Sequence, residues 1–318
     1  MYDKGWIVSQ KFEEPIINVG NLSMGGTGKT PQIEYLIRLL KNQYKIAFIS
    51  RGYKRKTNGF VVADQQASVG NIGDEAFQIH QKFPEVYVAV GEKRVPAIRK
   101  VLVNFKPDVI LLDDAYQHRA VSAGLNIVVS AYDNLFVQDF VLPTGNLREC
   151  KKQVKRADIV LVSKCPSHIN EKNKAKIKQK IRKYFFKDIF FTMIDYDDSI
   201  TNKQIEISVS DLSQYKILLI TGIANPTPLF TFLSEKNCIF ESLKFGDHHN
   251  FSKADISLIT NRFERLKGKK KILLTTEKDY VRLQNLVDLP LFYLPIQTKI
   301  LERELFNEKI LNYVSKEK

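Results

Sequence analysis

Val19-Gly-Asn-Leu-Ser-Met-Gly-Gly-Thr-Gly-Lys-Thr30 follows an apolar run and leads into residues with helical spacing. That context, strand then glycine-rich loop then helix, is what a phosphate-binding loop requires. Gly25, Gly26 and Gly28 free the backbone to turn its N–H groups inward around phosphate oxygens. A helix N-terminus beyond Lys29 adds free donors and a favourable dipole. Lys29 is then placed to reach the β- and γ-phosphates of ATP, and Thr30 to set its hydroxyl on Mg²⁺. Ser23, Met24 and Thr27 complete the loop. The strict pattern wants glycine five residues before Gly28, where Ser23 stands. Met24 occupies the position at which a related ATPase class carries a signature lysine, which argues against that class. A glycine-rich turn with no ligand is the plain alternative, and Gly-Lys-Thr between strand and helix fits it poorly.

Working outward, strands and helices alternate, the pattern of an α/β protein with a mostly parallel sheet covered on both faces. Strands are predicted over 15–19, 45–50, 86–90, 109–112, 126–129 and 159–162, and helices over 30–41, 75–82 and 94–104. Residues 195–213 are polar with weak periodicity and read as a connection. A second set follows: strands over 216–221, 271–275 and 292–295, helices over 229–236 and 279–285, and a closing helix from Glu302. The expected architecture is a P-loop NTPase-like domain over 1–165 and a smaller α/β domain over 166–318, with the join within 160–215.

The apolar strand ending in Asp113 and Asp114 resembles the metal-side element that accompanies such loops. Ligands of open α/β sheets bind beyond the carboxyl ends of the strands, so both acids are expected to face the phosphate loop. Strand alternation keeps them from pointing the same way unless the chain turns there. One is expected to hold Mg²⁺, the other to complete a metal or substrate network; two acids in a solvated loop is the bland alternative.

Bulk properties set the outer limits. Of 318 residues, 44% are hydrophobic and 26% charged, an ordinary balance for a folded domain pair. Cys150, Cys165 and Cys238 lie far apart, which argues against a disulfide framework or a zinc site and fits a reducing compartment. Lys and Arg number 49 against 35 Asp and Glu, a net charge of +14 that favours anionic partners. Much of it lies in 171–187, where Ile177, Ile181, Tyr184 and Phe185 mark an amphipathic helix. Its lysines read as a solvated face, with a membrane-surface role as the alternative. No apolar run is long enough to cross a bilayer, and no signal-peptide pattern is present.

A set of short motifs occurs in fixed order from about Tyr2 to the closing helix. They are Asn21-Leu-Ser-Met-Gly-Gly-Thr-Gly-Lys-Thr-Pro31, Ser50-Arg-Gly-Tyr53, Gly73-Asp-Glu75, Asp113-Asp-Ala-Tyr-Gln-His118, Leu142-Pro-Thr-Gly-Asn-Leu-Arg-Glu149, Asp247-His248 and Thr276-Glu-Lys-Asp279. Together they resemble the tetraacyldisaccharide 4'-kinase family, in which Ser23 at the unusual loop position is itself usual. The resemblance implies transfer of the γ-phosphate of ATP, with Mg²⁺, to the 4'-hydroxyl of an acylated glucosamine disaccharide, a step of lipid A (lipopolysaccharide) biosynthesis. It implies work at the cytoplasmic face of the bacterial inner membrane, and it puts family roles on Lys29, Thr30, Asp113, Asp114, Asp74 as base and His248 as its partner.

The residues themselves are compatible with those roles. A sugar hydroxyl is a weak nucleophile, so a carboxylate that accepts its proton helps. Asp74 reads as a helix N-cap, and capping alone is its simplest explanation without the resemblance. His248 titrates near neutral pH, though it also reads as a polar loop histidine. Arg51 in the basic loop 51–56 is a candidate for stabilising charge on the transferring group or binding a substrate phosphate, with Arg94 and Arg148 weaker candidates of the same kind. Glu277, Lys278 and Asp279 read equally well as a cap with first-turn charges. Family members usually begin with a hydrophobic helix of about 20 residues, and residues 1–5 match the stretch just after it; either such a helix belongs upstream of Met1, or this member is peripheral and relies on surface binding. Trp6, Ile7, Val8 and Phe12 could dock on a bilayer, core packing being their plainer role. Other readings are a P-loop phosphotransferase or synthetase for a soluble substrate, and a nucleotide-gated switch on RNA or membrane. No nucleic-acid module with stacking aromatics is recognisable, and no protein partner is called for.

Overall fold

The computed structural model describes residues 2, 6–247 and 249–316. The chain divides into two compact units, one of residues 1–195 and 297–318, the other of residues 196–296. The first break lies inside the 160–215 stretch, well beyond 165; the return of the chain to its first unit at 297 was not expected. The physical reason is that two further strands and a helix complete the first sheet.

The first unit opens with β1 (Ile16–Gly20), α1 (Lys29–Leu40), β2 (Ile46–Ser50), β3 (Val61–Val62), α2 (Val69–Ile72), α3 (Asp74–Lys82) and β4 (Tyr87–Val90). It continues with α4 (Arg94–Phe105), β5 (Val109–Asp113), β6 (Leu125–Ala131), β7 (Ile159–Ser163), α5 (Glu171–Arg182) and β8 (Asp188–Tyr196). The second holds β9 (Ser199–Thr201), β10 (Glu206–Ser208), β11 (Lys216–Thr221), α6 (Thr227–Glu235), β12 (Ile239–Lys244), α7 (Lys253–Arg265), β13 (Lys271–Thr276), α8 (Glu277–Leu283) and β14 (Leu291–Leu294). β15 (Ile296–Ile300) and α9 (Arg303–Lys316) then close the first unit. The polar 195–213 stretch thus carries two short strands, and β12 and α7 add an α/β repeat that weak periodicity concealed.

Among the described residues the first sheet runs β15-β8-β7-β6-β1-β5-β2-β4-β3. β1, β2, β5, β6, β7 and β8 pair with one another in parallel, as do β2 and β4, while β3 pairs antiparallel to β4. β1, β2, β5 and β7 are buried throughout, which is why they read as continuous apolar runs and not as alternating ones. Ala47, Ile49, Ile110 and Leu112 pack with Ala97, Ile98 and Val101 of α4. Alternation turns Phe48 and Leu111 to the other face, where α1 lies against β1 and β5, and α3 against β2 and β4. α5 spends its apolar stripe in the core, since Ile177, Ile181 and Phe185 are buried against Val160, Val162 and Phe191; its lysines form the outward face. Trp6, Ile7 and Val8 are exposed and do not enter the core, whereas Phe12 packs on it.

The second unit has its own sheet, β10-β9-β14-β13-β11-β12. Its two clusters lie around Leu219 and Leu274, and around Leu218 and Leu273.

α1 and α3 share one buried carboxylate. Glu34, 2% exposed, receives Arg38 at 2.9 Å, Lys82 at 2.8 Å and the Gln78 amide at 2.8 Å. Glu34→Ala would leave these donors without their acceptor. A loss on the order of 3 kcal/mol of stability is expected, read by urea unfolding.

Candidate active site

β1 ends at Gly20, and the next eight residues wrap back to start α1 at Lys29. Gly28 is the N-cap with φ 83°, a left-handed conformation that glycine reaches without strain. The first half of the loop is braced from outside. Met24 N–H donates to Asn146 O at 2.7 Å, Arg148 N–H donates to Leu22 O at 2.7 Å, and Ser23 bridges Leu147. Ser23 is buried and the Met24 side chain is exposed, and the Met24 N–H, taken by Asn146 O, points out of the loop. Inside, the buried Asn21 amide donates to Thr27 Oγ1 at 2.9 Å. From the far side Ser163 Oγ donates to Thr27 O at 2.6 Å and Lys164 Nζ to Gly26 O at 2.6 Å.

Register sets the acids beside this loop. Val19 lies opposite Asp113 in the β1–β5 pair, and Asp114 N–H donates to Val19 O at 3.0 Å. Asp114 has φ 50°; this is the turn that lets neighbouring acids leave strand alternation. Their environments then diverge. Asp114 meets Lys29 Nζ at 3.4 Å and is gripped by both Arg148 nitrogens, at 2.6 and 3.1 Å. Burial alone would raise its pKa, but Lys29 and Arg148 outweigh that and hold it at about 2. Asp113 is 7% exposed, and its Oδ1 is buried with no hydrogen-bond partner among the described residues. Burial pushes its pKa up to about 7, against the pull of Lys29.

Cations ring these acids. Arg94, 2% exposed, donates to Gly91 O and to Asp113 O at 3.2 Å, so it braces the strand end from within the core. Arg148 also donates to Asn21 Oδ1, tying the loop to the acid pair. His118 is held down at about 4 by burial and then by the charges of Arg94 and Arg51, so it is neutral at neutral pH.

Arg51, exposed at the end of β2, lies in a loop that packs on the start of α3. Gly73, φ 84°, is the N-cap of α3, and a side chain there would meet Tyr53 O at 2.9 Å and the Gly52 backbone at 3.0 Å. Asp74 is therefore the first helical residue and not the cap. It is 7% exposed, and the charge of its neighbour Glu75 acts on Asp113, which puts the start of α3 at the acid end of the site.

His248 lies outside the described residues. In the second unit, Asp247 meets Lys278 at 3.6 Å. Asp279, fully buried, accepts from Gly222 N at 2.7 Å and Thr276 Oγ1 at 2.8 Å, and Thr276 caps α8. Thr276 is thus the cap, and Asp279 is a first-turn acid that braces it. Asn21 and Gln117 (2.9 Å from Asn21 O) stand in quoted motifs but were given no role, and the Ser163–Lys164 pair went unnoticed in the sequence. For the last pair a signal existed: both follow directly on a predicted strand, at the edge where open sheets bind ligands.

The raised Asp113 pKa has a stability consequence. Unfolded, the group ionises near 3.9, so between about pH 4 and pH 7 the folded form keeps a proton that the unfolded form has lost. Stability contributed by this group therefore falls as pH rises across that window. In metal-free buffer, Asp113→Asn should gain on the parent protein from about pH 4 to about pH 7 and level off above. Thermal unfolding across that range measures it.

Known proteins give the same reading. The LpxK family model, tetraacyldisaccharide-1-P 4'-kinase, matches residues 1–315. A tetraacyldisaccharide 4'-kinase of Flavobacterium johnsoniae is 50% identical over 318 residues, covering 99% of this chain and 91% of that protein. One of Bacteroides thetaiotaomicron is 42% identical over 334 residues, covering 99% and 88%. The crystal structure of "apo" form LpxK from Aquifex aeolicus in complex with ATP superposes with a TM-score of 0.77 at 27% identity, over 98% of this chain and 92% of that one. A match of this extent settles the classification: the chain belongs to the tetraacyldisaccharide-1-P 4'-kinase family.

Proposed function

We propose that this chain transfers the γ-phosphate of ATP to the 4'-hydroxyl of a tetraacyldisaccharide 1-phosphate, a step of lipid A biosynthesis. The observation that carries the reading is the meeting of the Gly25–Lys29 turn with Asp113 and Asp114 across adjacent parallel strand ends, Lys29 and Asp114 being 3.4 Å apart.

Lys29 neutralises the β- and γ-phosphates, and the loop's peptide N–H groups surround them. Thr30 and Asp113 are the residues that would hold Mg²⁺: Asp113 Oδ1, buried and with no hydrogen-bond partner among the described residues, is a hard oxygen donor. Bound there, the ion supplies charge neutralisation on the phosphate oxygens. Asp114 keeps Lys29 and Arg148 in place. Asp74 accepts the proton of the 4'-hydroxyl as its oxygen bonds to phosphorus and the bond to the ADP oxygen breaks. Arg51 stabilises charge on the group in transfer.

The acceptor is an acylated sugar, so the enzyme works at a membrane surface, the cytoplasmic face of the inner membrane. The net charge of +14 and the exposed Trp6 and Val8 suit that setting. Among the described residues no helix is long and apolar enough to cross a membrane.

Incubation with labelled ATP and the acylated disaccharide, followed by thin-layer separation, tests the reading. Label reaching only a water-soluble acceptor would overturn it. Lys29→Ala and Asp113→Ala should abolish transfer while circular dichroism stays unchanged. Asp74→Asn should cut kcat by roughly 10²-fold or more with little change in the KM for ATP. Near-normal turnover would remove Asp74 from the base role.

A further inference from the structure

β7 contributes nothing to the acid pair, yet its carboxyl end touches the phosphate loop twice. Ser163, the last residue of β7, is fully buried, and its hydroxyl reaches Thr27 O at 2.6 Å. The next residue, Lys164, is exposed with φ 57°, and its ammonium reaches Gly26 O at 2.6 Å. The strand end is itself fixed, because Tyr132 N–H donates to Ser163 O at 2.8 Å and Cys165 N–H to Thr192 O at 2.9 Å.

These two contacts bear on which way the loop's peptides face. In a trans peptide the carbonyl oxygen and the N–H point in opposite directions. Lys164 holds the oxygen of the Gly26–Thr27 peptide, and Ser163 that of the Thr27–Gly28 peptide. Both carbonyls, which would repel phosphate oxygens, are therefore kept on the β7 side. The N–H groups of Thr27 and Gly28 are directed to the other side. A cation on a carbonyl also polarises the peptide and strengthens its N–H as a donor. In this structure Thr27 N–H closes on Gly25 O at 3.0 Å, a three-residue turn whose single bond a phosphate oxygen can displace. An exposed lysine gives up side-chain freedom to hold one loop carbonyl, and core packing gains nothing from it.

We propose that Ser163 and Lys164 are positioning residues that preset the two central peptides of the phosphate loop, so that ATP affinity depends on them while the transfer step does not. The proposal rests on the phosphate-loop reading and is independent of the identity of the acceptor. Calorimetry with Mg-ATP on the full chain, together with steady-state kinetics, tests it. Ser163→Ala and Lys164→Met should each weaken ATP binding by about tenfold, the worth of one hydrogen bond to a charged or well-oriented group. The KM for ATP should rise in parallel, with kcat at saturating ATP held to within about twofold. ATP affinity equal to the parent protein's in both variants, with an unchanged melting profile, overturns the proposal. So does a fall in kcat with unchanged KM. Should Ser163→Ala fail to fold, the exposed Lys164→Met decides alone by the same two criteria. Absence of Mg-ATP binding by the parent chain would instead sink the phosphate-loop reading beneath it.

Discussion

The parallel pairing of β1 with β5, in the register that sets Val19 against Asp113, is the constraint on which the rest of the molecule hangs. Parallel strands end at the same edge of a sheet, so one register delivers the glycine loop and both acids to one place. The pairing needs strands buried on both faces, which α4 on one side and α1 with α3 on the other provide. A one-residue slip would turn Asp113 from the α1 side of the sheet to the α4 side. The apolar packing of the sheet is thus also what holds the charged groups in position.

At that edge the charges are balanced for a guest. Asp114 is satisfied through three contacts by Lys29 and Arg148, while Asp113 beside it is buried and its Oδ1 has no hydrogen-bond partner among the described residues. Burying a carboxylate in this way is costly, and such unresolved costs concentrate where a ligand completes the structure. The contrast between adjacent residues of the same type comes from a single backbone angle at Asp114. Identical chemistry in sequence becomes two different chemistries in space.

How much of this could be read from the residues alone depended on whether the signal was local. The phosphate loop was legible because glycine positions and a following Lys-Thr are contiguous, and the core strands were legible as unbroken apolar runs. The ordered motif set carried the family, as the match over residues 1–315 bears out. Asp74 was misplaced by one position because the cap is Gly73, which has no side-chain acceptor of the kind that marks a cap in sequence. Arg148 stood as a minor candidate, since its grip on Asp114 joins residues 34 apart in sequence. Arg94 had the composition of a surface cation and turned out to be buried. Ser163 and Lys164 form no motif at all; only their place at a strand end distinguishes them. The second unit was read thinly because β12 has no fully buried residue, and its side chains lack a clean alternation.

The closing helix carries a consequence for how the protein comes into being. Tyr313 on α9 takes the Ile16 N–H at 3.0 Å and donates back to Ile16 O at 3.2 Å, and Phe306, Ile310 and Val314 are buried. β15 covers the edge of β8 in the same return. During synthesis, then, the strand that launches the glycine loop emerges first but waits for residues about 300 positions later to finish its surroundings. The intervening unit, with its own sheet and two clusters, can collapse while the larger one is still open at β8. Until residues 296–300 are made, the sheet is bare at β8, an edge on which another chain's strand can pair. Only a chain translated through α9 holds a finished first unit.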